Sequence, residues 1–170
     1  MTQKLTDWNA MTEDEAARTI LPCCGSHAWA SAMAARRPFA GSEPLLQVAR
    51  EIWQSLDPSE WMEAFASHPR IGDSRAVPTA AAKSQEWSAQ EQRQVADGDV
   101  AARAALADAN REYERRFGRI FIVCATGKTP HEILHILRRR LQNEEAAELR
   151  EAADEQQQIT QIRIRKWLEE

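Results

Sequence analysis

The chain has 170 residues, a formal net charge of −4 and a pI near 5.7, with 43% hydrophobic and 28% charged residues. This is globular composition, long enough for one domain over residues 1–170 with a real core, and its charge argues against nucleic acid as a partner. No apolar run is long enough for a bilayer, and three cysteines, two of them adjacent, make no disulfide framework and fit a reducing cytoplasm.

With only 6 Gly and 7 Pro, little material is left for turn-rich β architecture, while Ala, Glu, Gln, Arg and Leu favour helix. An all-α, single-domain bundle of roughly eight helices is predicted. Thr12-Glu13-Asp14-Glu15 is a capping box that opens a first helix toward Leu21, ended by Pro22. Ser26 caps a second helix, through Trp29 and Met33 to Arg37. Ser42 caps a third, with Pro44 in its first turn and Leu45, Val48, Ala49, Ile52 and Leu56 on one apolar face. A short helix from Ser59 carries Trp61, Met62 and Phe65. The loop His68-Pro69-Arg70-Ile71-Gly72-Asp73 follows, and periodicity is lost as far as Lys83. Ser88 is expected to open the next helix. Another runs from about Asp99 to Phe117 and is ended by Gly118. The buried run Ile120-Phe121-Ile122-Val123-Cys124 is either a short strand or an extended entry. Thr129-Pro130 starts a helix to about Gln142, and a last helix fills the rest. Within these helices the triplet Arg138-Arg139-Arg140 is expected to be a solvated face.

Four constellations carry possible chemistry. Pro69 keeps His68 out of the helical region, Gly72 permits a tight path nearby, and an imidazole can give or take a proton near neutral pH. Ser88-Ala89-Gln90-Glu91-Gln92 is expected as a capping box whose helix N-terminus could also orient a small, oxygen-rich ligand. Arg163 falls within the apolar stripe of Leu149, Ala152, Ile159 and Trp167, where a guanidinium must be paired or must face a polar site or an anionic ligand. His131-Glu132-Ile133-Leu134-His135 matches H-E-x-x-H, with Glu151 or Glu155 as third ligand for zinc, although the three following arginines would repel a cation. Cys124, in an apolar run, reads as an inert core thiol.

Taken together, these residues resemble the OHCU decarboxylase family, which acts on 2-oxo-4-hydroxy-4-carboxy-5-ureidoimidazoline. The matching pieces are Phe65-Ala66-Ser67-His68-Pro69-Arg70-Ile71-Gly72, Trp87-Ser88-Ala89-Gln90-Glu91-Gln92, Phe121-Ile122-Val123-Cys124-Ala125, Glu132-Ile133-Leu134 with Leu141-Gln142-Asn143, and the closing helix with Arg163. Pro38-Phe39 and Leu45 fit the same order, so the resemblance spans nearly the whole chain. It implies an all-helical fold particular to this family and a homodimer without metal or organic cofactor. It further implies His68 as catalytic acid–base and Glu91 as its carboxylate partner. Pro69, Ser88, Gln92, Phe121, Ile122, Val123, Cys124 and Ala125 would form the substrate pocket, and Arg163 would hold the substrate's anionic or carbonyl oxygens. The implied reaction is decarboxylation to (S)-allantoin, the last step from urate. Rival readings are a zinc hydrolase using His131, Glu132 and His135, and a helical interaction module docking through the Gln- and Glu-rich last helix. The first residues lack a signal-peptide core and the last are no peroxisomal address, so a cytoplasmic protein is expected.

Overall fold

The structure, a computed structural model, describes residues 2–72, 81–96 and 100–170, with Gln94 and Ala96 by backbone alone. The predicted end of the His68 loop at Asp73 and the predicted helix start near Asp99 lie outside these residues. Among the described residues the regular structure is helical throughout, as composition predicts. The chain divides into two compact units, Met1–Ala64 with Gln157–Glu170, and Phe65–Gln156.

The first unit is built on tryptophan. Helix α1 (Gln3–Ala10) precedes the earliest predicted helix; the Thr2 hydroxyl caps it by accepting the Leu5 N–H, and Leu5 and Trp8, one turn apart, are buried. α2 (Glu13–Ile20) opens with the predicted capping box, Thr12 and Glu15 satisfying each other's backbone N–H. A 3-10 turn at Leu21–Cys23 leads to α3 (His27–Ala35), capped by Ser26. α4 (Ser42–Ser55) starts one residue earlier than expected, with Gly41 rather than Ser42 as its N-cap. α5 spans Pro58–Ala66 and α10 spans Glu145–Glu169. Between helices, indole N–H groups reach backbone carbonyls: Trp8 donates to Ala16 at 2.9 Å, Trp29 to Ala49 at 3.0 Å and Trp61 to Trp53 at 3.0 Å. Each bond satisfies the indole N–H, which lets Trp8 and Trp29 be fully buried and Trp61 half-buried. Arg37 donates to the carbonyls of Ala34, Trp8 and Met11, gathering the ends of α1 and α3 under one guanidinium.

The second unit contains α6 (Ala82–Glu91), α7 (Arg93–Ala96), α8 (Val100–Phe117), α9 (Pro130–Arg140) and the first part of α10. Its core gathers Ile71, Val95, Leu106, Tyr113, Phe117, Phe121, Val123, Ile133 and Leu137 between α8, α9 and the segment joining them. Gly118, at φ 65°, ends α8 as predicted; its N–H donates to the Glu114 carbonyl at 2.9 Å. Residues 119–125 then run without regular structure, so the apolar segment enters α9 rather than forming a strand. Phe121, Ile122, Val123, Cys124 and Ala125 are all buried, which explains why their sequence shows no alternation. Thr129 and Glu132 form the capping box of α9, with Pro130 at its first position.

Two expectations are corrected here. Ser88 does not open a helix: it lies in the last turn of α6, buried, and the Gln92 N–H donates to its carbonyl. The Ser88–Glu91 spacing that imitates a capping box is therefore one turn of helix interior, so no N-terminal amide site exists there. The arginine triplet is not uniformly solvated. Arg138 and Arg139 are exposed, but Arg140 is completely buried. Ile133, Leu137 and Arg140 recur at helical spacing, which puts Arg140 on the core stripe of α9.

Candidate functional site

The site is assembled around the loop after α5. His68 is 8% exposed, and its N–H donates to the Phe65 carbonyl at 3.1 Å, closing the turn that ends the helix. Pro69 beside it is half-buried. Three side chains hold the loop in place. Arg70 grips both carboxylate oxygens of Glu114 on α8, at 2.5 and 2.8 Å. Asn110, also on α8, donates its amide to the Ile71 carbonyl at 3.0 Å within the buried core. The Gln92 side-chain oxygen accepts the Gly72 N–H at 2.9 Å. Gly72 sits at φ 79°, a left-handed conformation that a β-carbon would strain.

The Gln92–Gly72 bond brings the end of α6, and with it Glu91, to the His68 loop. A further link runs from Glu91 to the apolar segment. Cys124 has its thiol pKa raised, first by burial; Lys128 opposes the shift, while the charges of Glu155 and Glu91 add to it. Glu91 therefore lies within electrostatic reach of Cys124, and a thiol shifted upward is no nucleophile at neutral pH. His68, Pro69, Ser88, Glu91, Gln92 and Phe121 to Ala125 all belong to the second unit.

The apolar segment is held by charged side chains. Arg140 donates to the Ile122 carbonyl at 2.7 Å and places its guanidinium 4.6 Å from the centre of the Phe121 ring. Its other nitrogens meet Glu148, which is fully buried and also accepts from the Tyr113 hydroxyl at 2.5 Å and from Asn143 at 2.8 Å. Burial and this bond push the Tyr113 phenol well above its usual range. Glu155 accepts the Cys124 N–H at 2.7 Å, and Lys128 donates to the Cys124 carbonyl at 2.6 Å. The held groups fall on residues 122 and 124, alternate residues, as along one edge of an extended strip. Among the described residues neither the N–H nor the carbonyl of Val123, between them, has a hydrogen-bond partner. Of this framework the sequence offers Glu155 as a metal ligand, Arg140 as part of a solvated triplet and Asn143 as part of the family match; helical spacing could have placed Arg140 in the core.

Arg163 belongs to the first unit. As its place in the apolar stripe of α10 predicts, it is completely buried; it donates to the Pro22 carbonyl at 3.4 Å. Arg165 is exposed. Cys23 and Cys24 are buried nearby and feel the Arg163 charge. Burial nevertheless pushes the Cys24 thiol up to about 12 and drives Cys23 higher, so both are inert.

The carboxylates that the zinc reading needs are engaged elsewhere. His131 and His135 are exposed on α9, while the Glu132 carboxylate accepts both the N–H and the hydroxyl of Thr129. Glu151 is held by Arg139 and Asn143, and Glu155 by the Cys124 N–H. No group of three metal-ligating side chains forms among the described residues.

A uric acid degradation bifunctional protein of Arabidopsis thaliana is 35% identical over 145 residues, covering 85% of this chain. The chain spans only 44% of that relative's length. A 2-oxo-4-hydroxy-4-carboxy-5-ureidoimidazoline decarboxylase of Amia calva is 31% identical over 135 residues, covering 79% of this chain and 77% of that protein. The crystal structure of an OHCU decarboxylase in the presence of (S)-allantoin superposes with a TM-score of 0.76 at 34% identity, covering 88% of this chain and 96% of that one. The model of the family described as OHCU decarboxylase matches residues 9–165, across both compact units, and with the whole matched span comes the conclusion that this chain belongs to the OHCU decarboxylase family.

Proposed function

We propose that this protein decarboxylates 2-oxo-4-hydroxy-4-carboxy-5-ureidoimidazoline to (S)-allantoin, the last step from urate, with neither metal nor organic cofactor. Support comes from family membership and, above all, from one observation: the Gln92–Gly72 bond that joins the Glu91 end of α6 to the His68 loop. Decarboxylation needs a place for the electron pair released when the carbon–carboxylate bond breaks. In this substrate the carbon that bears the carboxylate also bears a hydroxyl and adjoins a ring C=N bond. The pair moves toward that bond, and its nitrogen takes up a proton. Loss of the hydroxyl proton and protonation of the neighbouring carbon then give the ring carbonyl and the new stereocentre. The substrate has to be held with its carboxylate out of the ring plane and its protons managed on one face.

His68 is assigned the proton transfer and Glu91 the carboxylate that orients it. Ser88 and Gln92 line the α6 side of the pocket. The Val123 N–H and carbonyl offer a donor and an acceptor side by side, suited to the matching edge of a cyclic urea or ureido group. The role that family resemblance gives Arg163, holding anionic or carbonyl oxygens, is tested on its own by Arg163→Lys, which keeps the charge and loses the planar fork. The same reading makes the protein a single-domain homodimer of the cytoplasm. No described helix is long and apolar enough to cross a membrane.

The test is stereochemical. The substrate is generated from urate with urate oxidase and hydroxyisourate hydrolase, this protein is added, and circular dichroism follows allantoin. A rapid (S) signal, lost in His68→Asn, is expected. A racemic product at the uncatalysed rate overturns the reading, and full activity in His68→Asn overturns the assignment of that residue.

A further inference from the structure

The carboxylates Glu148, Glu151 and Glu155 recur at helical spacing along one stripe of α10. They do not meet the same kind of partner. Glu148 meets the buried Arg140, and Glu151 meets Arg139 on the surface. Glu155 accepts a neutral backbone amide, the N–H of Cys124, at 2.7 Å. The carbonyl of the same residue accepts from the Lys128 ammonium at 2.6 Å. One residue of an irregular, buried segment is thus gripped at both its polar groups by two charged side chains, one from α10 and one from the turn before α9. A charge-assisted hydrogen bond is the stronger kind, and two on one residue leave its backbone little freedom. Cys124 directly follows Val123, and Glu91 is near enough for its charge to reach the Cys124 thiol.

We propose that Glu155 and Lys128 are positioning residues of the decarboxylase site: they fix the backbone at Cys124 and thereby set the Val123 edge against which the substrate's ureido or ring amide groups lie. The inference rests on the reading of residues 121–125 as substrate-binding. Neither residue touches a reacting atom, so each acts on the alignment of the bound ring. Zinc ligation is the sequence-based alternative for Glu155, and it does not explain a carboxylate turned onto a backbone amide.

The experiment measures KM, kcat and melting temperature for Glu155→Ala, Glu155→Gln, Lys128→Ala and Lys128→Arg in the (S)-allantoin assay. Glutamine keeps an acceptor oxygen and arginine keeps a donor. Both alanine variants are expected to raise KM about tenfold, the loss of one such restraint, with a smaller change in kcat. Glutamine and arginine recover most of that loss. A purely structural role instead lowers the active fraction, seen as a fallen kcat and melting temperature at unchanged KM. That result overturns the proposal, as does a KM within twofold of wild type in both alanine variants. If Glu155→Ala does not fold, Lys128→Ala reads the same residue from its carbonyl side. A wild-type protein that gives no (S)-allantoin overturns the reading of the site itself, an outcome separate from a null result among variants of an active enzyme.

Discussion

The two compact units are held by different chemistry. In the first, which holds five of the six tryptophans, indole N–H groups and the Arg37 guanidinium reach across to the backbone carbonyls of another helix. Helix packs on helix, α2 against α3 and α3 against α4. In the second, charged side chains converge on one irregular segment: Arg140, Glu155 and Lys128 take the polar groups of residues 122 and 124, and Arg70 pins the neighbouring loop. A helix satisfies its own backbone, whereas an irregular buried segment needs partners from elsewhere. The difference teaches what a stretch of non-helical backbone requires of the side chains around it. Charge is buried in the second unit because a stretch of non-helical backbone has to be kept rigid inside it.

Cutting the buried ion pair is the severest way to break that comparison. Arg140→Leu leaves the Glu148 carboxylate without its counter-charge and the Ile122 carbonyl without its donor, at a cost of about 3–5 kcal/mol. Urea unfolding measures the loss, and a change below about 1 kcal/mol would mean that the pair holds little. The double variant Arg140→Leu with Glu148→Leu regains much of the stability, since an apolar pair of similar volume is often no worse than an ion pair. It is expected to keep a raised KM, because the Ile122 carbonyl remains ungripped. In the first unit the corresponding cut is Trp29→Phe. It keeps most of the ring and removes the indole donor to the Ala49 carbonyl, for about 1.5 kcal/mol, with KM unchanged. A raised KM in Trp29→Phe would erase the contrast between the units.

The first unit was the more legible in the sequence, because its rules are local. The Thr12-Glu15 box, the Ser26 cap and the apolar spacing of α4 each act within a few residues, and each is found in the fold. Helix α1 escaped notice because its apolar content is two residues, Leu5 and Trp8, whose partners such as Phe39 and Trp167 are far along the chain. In the second unit family resemblance singles out candidate site residues, but not the side chains that support them. Ser88 and Glu91 have the spacing of a capping box, yet Ala82 begins the helix six residues earlier, and nothing local distinguishes the first turn of a helix from its last when both are polar. Glu155 could be seen as a metal ligand because spacing reveals which side chains share a face; the backbone amide that answers it lies 31 residues away. Arg163 was caught by its place in an apolar stripe, and Arg140 occupies such a place on a shorter helix that ends in a run of arginines.

The mildest cut compares two equivalent devices, one in each unit. Thr12 with Glu15 opens α2, and Thr129 with Glu132 opens α9, each a complete capping box on the surface. In both, the threonine's hydrogen bonds hold the glutamate below the usual carboxylate range: for Glu15 the side-chain bond leads, for Glu132 the backbone bond. A carboxylate depressed in the folded state adds stability above its unfolded value and loses it as pH falls through the folded value. Both boxes therefore weaken in acid. Thr12→Ala and Thr129→Ala should each cost about 1 kcal/mol at neutral pH, and each should flatten the acid limb of the stability profile. Their effects on activity should part. Thr129 directly follows Lys128, whose ammonium holds the Cys124 carbonyl, so loosening the start of α9 loosens that grip; Thr12 lies in the unit without the irregular segment. Kinetics at matched folded fraction, with KM raised in Thr129→Ala and unchanged in Thr12→Ala, would tie the cap of α9 to the substrate edge. Equal KM values would confine both boxes to stability and leave the hold on Cys124 to Glu155 and Lys128 alone.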